Sequence, residues 1–467
     1  MLEMNEVEMN EAEQNLGDLI LGWNSEDQPS KELLAQLAML DVPALQKLAR
    51  GEQKAQDWAA LAAKAQPPNA FRVGVNGNAI GAAAAIEAGE ELLAAGKVAM
   101  ILVAGGQGTR LGFPQPKGLF PIGPVSGRTL FEIVIDRLKA MSRKYGVSIP
   151  LLVMTSPATN EETAKHFELN QNFGLSDDQL TLFCQGTMPA LDQSTGKLLL
   201  QEKNRLFLSP NGHGGMLDAL VDSGCFEKVS QCGIEHFFYG QIDNPLVQVC
   251  DPELLGYHVL SQSEMTTQVV QKSNPLEKVG NVVEIDGQVQ IIEYSDLPEE
   301  FALRKNAEGG MSLWAGNIAV HVFSGAFLKR TFETRDALPF HLANKKVSYR
   351  STGGELIEPI EPNAIKFEKF IFDLLPLAKN AIAVEVRKSD GFAPVKNADG
   401  AASDTPELAR QAISDLHRGW LMENGVSIAE NVRIEIHPEF ALNADQLAQK
   451  ELPQSIETDT FLCGEAS

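Results

Sequence analysis

A short glycine cluster flanked by two basic side chains is the part of this sequence best suited to chemistry. Gly105, Gly106 and Gly108 follow an apolar run, and Arg110 and Lys117 come soon after them. Glycines let the backbone turn sharply and let a ligand approach without a Cβ in the way. Successive amides in such a turn form a concave anion site, to which the cations add fixed positive charge. The pattern predicts a site that holds a triphosphate by its oxygens.

The spacing of this cluster differs from that of the two common phosphate-binding loops. A Walker A loop ends in Gly-Lys-Ser or Gly-Lys-Thr, whereas Lys117 is followed by Gly118. Gly106, Gly108 and Gly112 are spaced one residue too widely for the dinucleotide-binding fingerprint. The cluster could instead be a plain connection between a strand and a helix. The two cations and the neighbouring prolines favour a binding role.

An acidic residue, Asp243, ends another apolar run. A carboxylate that faces a triphosphate is costly unless a cation lies between them, and Mg²⁺ prefers one or two carboxylates together with phosphate oxygens. Asp243 is therefore the predicted Mg²⁺ ligand. The alternative is that Asp243 only caps the turn before Pro245.

A second glycine-rich turn covers residues 209–216 and leads into a predicted helix at residues 217–221. Amides at the start of a helix bind anions, so Gly212 and His213 are candidates for contact with a nucleotide or a sugar phosphate. Taken alone, a histidine in such a turn is more often a hydrogen-bonded turn residue than a catalyst.

The elements that must position these residues alternate along the chain. Predicted strands cover residues 98–103, 149–154, 180–185 and 236–239, and predicted helices cover residues 129–145 and 160–168. Residues 265–272 alternate between apolar and polar, which predicts a half-exposed strand. The alternation predicts an α/β fold with a parallel or mixed sheet flanked by helices. Ligands then bind at the carboxyl ends of the strands, where the predicted site residues fall.

The remaining chain is organised around this α/β region. Leucine and alanine residues at helical spacing predict an N-terminal helical region over residues 1–95. We expect the central domain over residues 96–380. Short alternating stretches between residues 426 and 436 predict a small β-rich C-terminal domain over residues 381–467, which ends in an acidic tail.

The composition of the chain disfavours several kinds of partner and location. The chain has 467 residues and a net charge of −23, which argues against nucleic acid and anionic membranes as main partners. Its five cysteines form no C-x-x-C pair, which favours free thiols in a reducing cytoplasm. The acidic start of the sequence is not a secretory signal, and no apolar run reaches the roughly 20 residues of a membrane span.

The stretch 102–117, LVAGGQGTRLGFPQPK, resembles the signature of nucleotide-sugar pyrophosphorylases, which join a nucleoside triphosphate to a sugar 1-phosphate. Its form is similar to that of the eukaryotic-type UDP-N-acetylhexosamine pyrophosphorylases and their UDP-glucose and UDP-sugar relatives. The resemblance continues in ordered segments from residue 95 to residue 440. It implies a Rossmann-like nucleotide-sugar transferase fold of the GT-A type, with a mixed sheet flanked by helices.

The resemblance implies roles on the nucleotide side. In that family the loop wraps the triphosphate, and cations matching Arg110, Lys117 and Lys396 stabilise the reacting phosphates. A glutamine matching Gln185 reads the uracil edge, because an amide both donates and accepts. The nucleotide-binding candidates are Ala104, Gly105, Gly106, Gly108, Thr109, Gln185, Gly212, His213 and Asp243.

The resemblance also implies residues that hold the sugar. A glutamate matching Glu293 binds sugar hydroxyls, and an asparagine matching Asn317 is a second sugar ligand. Gly280 lies where the family's backbone passes the sugar. A carboxylate with a carboxamide suits a polyol, because together they accept and donate hydrogen bonds.

Three further sugar-side candidates follow from a later segment of the same resemblance. Lys366 is expected to reach the sugar phosphate. Phe370 and Phe372 match aromatic positions near the family's acyl-binding sugar pocket. Without the resemblance, Phe367, Phe370 and Leu374 are equally consistent with the buried face of a helix.

His213 leaves the identity of the sugar open. The N-acetylhexosamine enzymes carry an asparagine at this place, and the UDP-glucose and UDP-sugar enzymes carry a histidine in a Gly-His-Gly-Asp context. This chain combines the histidine of one group with the Gly214-Gly215 pair of the other.

The resemblance implies a uridylyltransferase that forms a UDP-sugar and pyrophosphate from UTP and a sugar 1-phosphate, with Mg²⁺ as cofactor. N-acetylglucosamine 1-phosphate is the first expectation for the sugar. One alternative is an enzyme for glucose 1-phosphate or for a broad range of sugars. An alternative of another class is a non-catalytic regulator that binds nucleotide sugars, although Arg110, Lys117, Asp243 and Lys396 together favour an enzyme.

Overall fold

The computed structural model describes residues 16–23, 28–51, 57–75, 77–334 and 338–464. The start of the predicted N-terminal helical region and the last residues of the predicted acidic tail lie outside these ranges. The chain divides into a smaller compact unit, residues 1–57, 185–215 and 338–371, and a larger one, residues 58–184, 216–337 and 372–467. Both units are assembled from separate stretches of chain, whereas the sequence predicts three consecutive domains.

The larger unit is built on a ten-stranded mixed sheet. Its strands in chain order are β1 (Ala70–Phe71), β2 (Val98–Val103), β3 (Leu151–Thr155), β4 (Leu180–Cys184), β5 (His236–Gln241), β6 (Met265–Gln271), β7 (Asn281–Ile285), β8 (Gln288–Ile292), β9 (Ala315–Ser324) and β10 (Ala381–Glu385). The spatial order is β1-β10-β6-β9-β5-β2-β3-β4, and the β7–β8 hairpin joins β9. Strand β9 runs antiparallel to β5 and β6, and the other pairs on this path are parallel. The predicted α/β fold with a mixed sheet is confirmed.

The register of the sheet brings several strand ends to one edge. Val103 at the end of β2 pairs with Gln241 of β5 on one side and with Met154 of β3 on the other. The loop after β2, Asp243 after β5 and the turn after β3 therefore start side by side. This is the edge at which open α/β sheets bind ligands.

Helices flank this sheet. The helices of the larger unit are Trp58–Lys64, Ala82–Ala94, Leu130–Tyr145, Asn160–Leu169, Met216–Asp222, Cys225–Gln231, Pro252–Leu260, Glu299–Ala302, Gly325–Phe332, Lys388–Gly391, Pro406–Glu423 and Ala444–Leu447. The helices Ala82–Ala94 and Pro252–Leu260 touch backbone to backbone. A Cβ on Gly89 would lie 1.8 Å from the Pro252 carbonyl oxygen, and one on Gly256 would lie 1.6 Å from that of Ala85. Only glycine allows this approach.

Strand β6 corrects one prediction. Its alternating pattern predicts a half-exposed strand, but every residue of β6 except Gln271 is buried. The reason is that β6 lies between β9 and β10, and β10 comes from beyond residue 380. The sheet therefore extends past the boundary that the sequence predicts at that residue.

Short strands pair in the last part of the larger unit. Ser427–Ile428 pairs with Ser455–Ile456, and Ile434–Ile436 pairs with Thr460–Leu462. Leu421, Ile434 and Leu447 belong to the buried core of this region. The predicted β-rich character is seen here, and the acidic tail contributes two of the four strands.

The smaller unit combines N-terminal helices with short strands. Its helices are Leu16–Leu19, Lys31–Ala38 and Val42–Ala49, and its strands are Thr187–Pro189, Leu191–Asp192, Leu200–Glu202, Arg205–Leu206, Leu208–Pro210, His341–Lys345, Tyr349–Arg350, Leu356–Ile357 and Ala364–Glu368. Leu33, Leu37, Leu191 and Phe367 meet in one core. In neither unit does the described part of the chain contain a helix long and apolar enough to cross a membrane.

Candidate active site

The glycine loop after β2 is closed by its own backbone. The Gly108 amide donates to the Gln115 carbonyl at 2.9 Å, and the Lys117 amide donates to the Gly106 carbonyl at 3.0 Å. A Cβ on Gly108 would lie 2.7 Å from the Phe113 carbonyl oxygen, so this position accepts only glycine without a shift of the loop. The loop is thus a fixed shape made by local contacts.

The first amides of this loop are available to a ligand. Within the part of the chain that the structure describes, the amides of Gly105, Gly106 and Gln107 donate to no acceptor. The Gly105 carbonyl is held by the Ser156 hydroxyl at 2.8 Å, which orients the turn from behind. Arg110 follows on an exposed 3₁₀ turn, Thr109–Leu111. Consecutive free amides are the arrangement that binds phosphate oxygens.

Lys117 and Asp243 meet beside this loop. The Lys117 Nζ lies 3.4 Å from the Asp243 Oδ2, and the two side chains are 14% and 17% exposed. The Lys117 Cε is 4.0 Å from the position of a Cβ on Gly106, so the lysine lies along the glycine turn. The structure therefore brings the predicted phosphate cation and the predicted metal ligand together.

Lys396 is carried to the same strand end by a docked segment. The Val395 amide donates to the Asp243 carbonyl at 2.7 Å. The Asn244 side chain donates to the Gly391 carbonyl at 2.8 Å and accepts from the Ala393 amide at 3.0 Å. Backbone and side-chain contacts thus place the Lys396 segment against the end of β5.

Asp404 contacts the Lys396 segment through its backbone and interacts electrostatically with the charged groups nearby. Its carbonyl accepts from the Lys396 amide at 2.8 Å. Burial raises the pKa of the Asp404 carboxyl, the ammonium groups of Lys396 and Lys388 lower it, and the carboxylates of Asp243 and Glu277 raise it further. Asp243, Lys396 and Asp404 therefore lie in one electrostatic neighbourhood.

The predicted Mg²⁺ ligand can be tested against this geometry. In the described ranges, no group of three or more His, Cys, Asp or Glu side chains could hold a metal ion. Asp243 offers one carboxylate at the edge of the glycine loop, 3.4 Å from the Lys117 Nζ. Mg²⁺ is typically held by one or two carboxylates plus substrate phosphates, so Asp243 fits an ion that arrives with a nucleotide.

The structure also brings the predicted sugar ligands together. The Asn317 amide donates to the Gly280 carbonyl at 2.8 Å. A Cβ on Gly280 would lie 2.8 Å from the Glu293 Oε1 and 3.6 Å from the Asn317 Cβ. The Asn317 Oδ1 accepts from the Ala319 amide at 3.0 Å, which orients the carboxamide. Three distant segments thus form one polar cluster with a glycine at its centre.

The remaining candidates of the nucleotide side lie in the smaller unit. The Asn211 amide donates to the Gly186 carbonyl at 3.2 Å, which joins the segment after Gln185 to the second glycine turn. Gly212 has φ +84°, and a Cβ there would lie 2.5 Å from the Lys369 carbonyl oxygen. Gln185 itself is buried. This unit therefore brings Gln185 close to the turn that contains Gly212 and His213.

The His213 ring is held by a hydrogen bond to Nδ1 and by stacking on Phe370. Its Nδ1 accepts from the Ile371 amide at 3.2 Å, so the proton of the neutral ring is on Nε2. The ring stacks on Phe370 with centroids 5.2 Å apart, and Phe370 in turn contacts His341 at 4.4 Å. These contacts make His213 a rigid residue in a well-defined tautomer.

The last sugar-side candidates are not one helix face. Phe367 lies in the strand Ala364–Glu368, and Ile371–Leu377 is a 3₁₀ helix, so the helix considered from the sequence is wrong. Phe370 belongs to the smaller unit and the buried Phe372 to the larger one. The Lys366 Nζ lies 5.0 Å from the Phe207 ring centroid, and burial lowers the pKa of its ammonium.

Several residues that shape the site were not predicted from the sequence. Asn244 follows Asp243 directly, and its place at a strand end is a signal that could have identified it. Ser156 and Asp404 act from distant segments through a hydroxyl and a carbonyl. No local pattern marks such contacts, because the fold alone brings their segments together.

Comparisons with known proteins agree with this architecture. Residues 51–455 match the family model described as UTP–glucose-1-phosphate uridylyltransferase. The UDP-N-acetylglucosamine pyrophosphorylase of Saccharomyces cerevisiae is 36% identical over 369 residues, which cover 77% of each protein. The UDP-N-acetylhexosamine pyrophosphorylase-like protein 1 of Homo sapiens is 36% identical over 412 residues, covering 85% of this chain and 81% of that protein.

A solved structure shows the same fold over the whole chain. The uridine diphosphate N-acetylglucosamine pyrophosphorylase of Trypanosoma brucei superposes with a TM-score of 0.80, and all of each chain is covered, at 24% identity. The family model and the two relatives each span most of this sequence. The chain therefore belongs to the UTP–glucose-1-phosphate uridylyltransferase family, and within it resembles the UDP-N-acetylglucosamine pyrophosphorylases.

Proposed function

We propose that this chain is a uridylyltransferase that joins UTP to N-acetylglucosamine 1-phosphate and releases pyrophosphate. Membership of the family and the names of its relatives support the reaction. The observation that carries the proposal is the pairing of Lys117 with Asp243 beside three unpaired amides of the described loop. A triphosphate with its counter-ion is the ligand that such a group of charges suits.

The proposed reaction is a single displacement at phosphorus. An oxygen of the sugar phosphate attacks the α-phosphorus of UTP in line. The bond from that phosphorus to the α–β bridging oxygen breaks, and pyrophosphate leaves with the electron pair. No group on the protein becomes covalently modified, so catalysis consists of positioning and electrostatic stabilisation.

The cations of the site take the developing negative charge in this proposal. Lys117 lies along the glycine turn and serves the phosphates that the loop amides bind. Lys396 approaches from the docked segment at the end of β5, and Arg110 extends from the exposed 3₁₀ turn. Preorganised donors aimed at such charge are typically the largest contribution to catalysis.

Asp243 would hold Mg²⁺ together with oxygens of the nucleotide. When bound, the ion would supply positive charge that neutralises the triphosphate. Lys117 holds the Asp243 carboxylate in place at 3.4 Å, so its position does not depend on the ion.

Recognition of the two substrates is divided among the remaining candidates. Gln185, Gly212 and His213 are the proposed contacts for the nucleotide. Glu293 and Asn317 are proposed to bind the sugar hydroxyls beside the backbone of Gly280. Lys366, for the sugar phosphate, and Phe370 and Phe372, for the acyl group, are proposed from the sequence resemblance alone.

A second candidate function has a specific observation in its favour. His213 stands where the N-acetylhexosamine enzymes carry an asparagine, and the matching family model is described by glucose 1-phosphate. An enzyme for glucose 1-phosphate, or for several sugars, would have the same phosphate site. The two candidates differ only in the sugar that they accept.

The test is turnover of UTP with Mg²⁺ against three sugar phosphates in parallel, with release of pyrophosphate as the signal. We expect N-acetylglucosamine 1-phosphate to be faster than N-acetylgalactosamine 1-phosphate and glucose 1-phosphate. A preference for glucose 1-phosphate would replace the first candidate by the second. Binding of UDP-sugars in calorimetry without any turnover would contradict both and favour a regulator.

We also propose that the protein acts in the cytoplasm, on small molecules. None of the five cysteines, which all lie in the described ranges, forms a disulfide, and this suits a reducing compartment. The net charge of −23 disfavours nucleic acid and anionic membranes as partners. UTP, a sugar 1-phosphate, a UDP-sugar and pyrophosphate are the proposed ligands.

A further inference from the structure

The segment from Ser273 to Gly280 connects β6 to the β7–β8 hairpin and has no helix or strand of its own. Its middle has little apolar anchorage, since Leu276 is 54% exposed, whereas Val279 near its end is buried. Yet it ends at Gly280, the centre of the predicted sugar cluster. The conformation of the middle of the segment therefore depends on polar contacts.

Glu277 makes the polar contacts that span this segment. Its Oε2 accepts from the Ser273 amide at 2.5 Å, and its Oε1 accepts from the Lys388 ammonium. Lys388 also donates to the Ser273 hydroxyl at 2.9 Å. Glu277, Ser273 and Lys388 thus form a closed ring of hydrogen bonds. The Glu277 side chain is only 16% exposed and that of Lys388 is 37% exposed, so the carboxylate is the more shielded end of this ion pair.

A buried lysine holds the same segment from inside. The Lys272 ammonium donates to the Asn281 Oδ1 at 2.5 Å and to the Pro275 carbonyl at 3.3 Å. The two ends of the segment are therefore fixed to each other. The remaining freedom is in its exposed middle, which Glu277 ties down.

The two ends of the Glu277–Lys388 pair lead to different parts of the proposed site. On one side, the Val279 amide donates to the Glu277 carbonyl at 2.8 Å, one residue before Gly280. On the other side, Lys388 begins the helix Lys388–Gly391, which leads into the segment that carries Lys396. The pair is therefore a side-chain link between the segment that ends at Gly280 and the helix that precedes the Lys396 segment.

We propose that Glu277 is a positioning residue for the sugar 1-phosphate: through Lys388 and Ser273 it fixes the Ser273–Gly280 segment against Glu293 and Asn317. The inference rests on the proposed function, because it concerns the sugar substrate of that reaction. Glu277 does not itself touch the reacting atoms. Its loss lets the sugar cluster loosen without altering the phosphate loop.

The test is steady-state kinetics of the full chain with Glu277→Gln, Lys388→Met and the double variant. Glutamine keeps an acceptor for the Ser273 amide but removes the charge that binds Lys388. We expect the KM for the sugar 1-phosphate to rise about tenfold in each variant, with kcat and the KM for UTP within about twofold of wild type. The double variant is expected to be no worse than Lys388→Met, because both changes remove one interaction.

Asp286→Asn is the matched control. Asp286 lies on the turn of the β7–β8 hairpin and pairs with Lys64 at 2.8 Å, but both side chains are more than half exposed. This variant removes an ion pair from the same hairpin without touching the Ser273–Gly280 segment. We expect its kinetic constants and its Tm to stay at the wild-type values.

Hydrogen exchange separates this inference from the proposed function. The Asn317 amide donates to the Gly280 carbonyl, so its exchange rate reports the position of the segment whether or not the enzyme turns over. We expect faster exchange at Asn317 in Glu277→Gln and unchanged exchange in Asp286→Asn. If wild type forms no UDP-sugar, the proposed function fails, and this readout still decides whether Glu277 positions the segment.

Three results would overturn the inference. One is a KM for the sugar phosphate in Glu277→Gln that equals that of Asp286→Asn. Another is an equal loss for UTP and for the sugar phosphate accompanied by a lower Tm, which indicates a general role in folding. The third is unchanged exchange at Asn317 in Glu277→Gln.

Discussion

In the larger unit, the glycine loop proposed to bind phosphates and the cluster proposed to bind the sugar are built in opposite ways. The loop from Gly105 to Lys117 is closed by its own backbone, with the Gly108 amide on the Gln115 carbonyl and the Lys117 amide on that of Gly106. The cluster of Gly280, Glu293 and Asn317 joins three segments that are separate in sequence. One region is shaped locally and the other by the tertiary fold.

This difference explains why the residues of the loop alone indicate a binding site, whereas those of the cluster are identified only through the family resemblance. Residues that shape a loop through neighbouring contacts leave a compact motif, here the glycines with Arg110 and Lys117. Residues that meet across a sheet leave no pattern, because each segment alone is an ordinary strand end. A substitution in the loop should therefore affect the chemistry, and one in the cluster the binding of a single substrate.

The largest effect is expected for Lys117→Met. Removing a cation from the proposed phosphate site should lower kcat by about 10²–10³, as for other preorganised donors. Lys97→Met is the control, because Lys97 precedes β2 at its opposite end and pairs with Glu235 at 2.9 Å. Pyrophosphate release should be unchanged in this control. Equal activity in Lys117→Met and wild type would show that this cation of the loop does not contribute to the reaction.

Gly108→Ala should have the next largest effect. Its Cβ would lie 2.7 Å from the Phe113 carbonyl oxygen, so the loop must shift, and a shift of this size typically costs about 100-fold in kcat/KM. Gly106→Ala is the matched comparison, since a Cβ there meets only the Lys117 Cε at 4.0 Å. We expect a smaller loss in that variant. Equal losses would show that local closure does not set the geometry.

Gly280→Ala tests the sugar cluster in the same way. Its Cβ would lie 2.8 Å from the Glu293 Oε1, so the carboxylate must move and the KM for the sugar phosphate should rise about tenfold. The KM for UTP should change by less than about twofold. Gly419→Ala is the control, because a Cβ there meets nothing within 4 Å. A larger change in the KM for UTP than in the KM for the sugar phosphate would contradict the assignment of this cluster to the sugar.

The last effect concerns stability, not activity, at the buried Lys272 beneath the sugar cluster. Burial lowers the pKa of Lys272 to about 8, whereas an unfolded lysine titrates near 10.4. Between these values the unfolded chain binds the extra proton, so wild type should gain about 1–3 kcal/mol in the free energy of unfolding relative to Lys272→Met as pH rises. Denaturant titrations at pH 8 and pH 10 measure this difference.

Lys64→Met serves as the reference for that titration, because Lys64 ends the helix Trp58–Lys64, is 59% exposed and pairs with Asp286 of the β7–β8 hairpin. The two lysine variants should differ in their pH dependence if burial of Lys272 is the cause. Parallel curves for Lys272→Met and wild type between pH 8 and pH 10 would contradict it.

Much of the fold could be predicted from the sequence, because local patterns determine it. The apolar runs that became β2, β3 and β4 and the amphipathic helix Leu130–Tyr145 were predicted within a few residues. Strand β6 was misjudged as half-exposed, because its burial depends on β10, which comes from more than 100 residues further along the chain. The division of the N-terminal helices between two units follows from such distant contacts as well.

The same distinction between local patterns and distant contacts applies to the candidate site. The position of Lys117 and Asp243 at one edge of the sheet follows from the predicted strands, because both residues come after parallel strands, but their direct contact could not be predicted. The roles of Asn244 and Asp404 in holding the Lys396 segment were not, because a side chain that binds a distant backbone carries no sequence signal. Sequence spacing does not predict where Phe370 and Phe372 lie. Although they are only two residues apart, they belong to different units.

The central claim is that the loop and the cluster bind the two ends of one nucleotide sugar. A crystal structure of the protein with UDP-N-acetylglucosamine tests it most directly. We expect the diphosphate on the amides of Gly105, Gly106 and Gln107 beside Lys117, and the sugar hydroxyls on Glu293 and Asn317. A nucleotide sugar bound away from these residues would contradict the account.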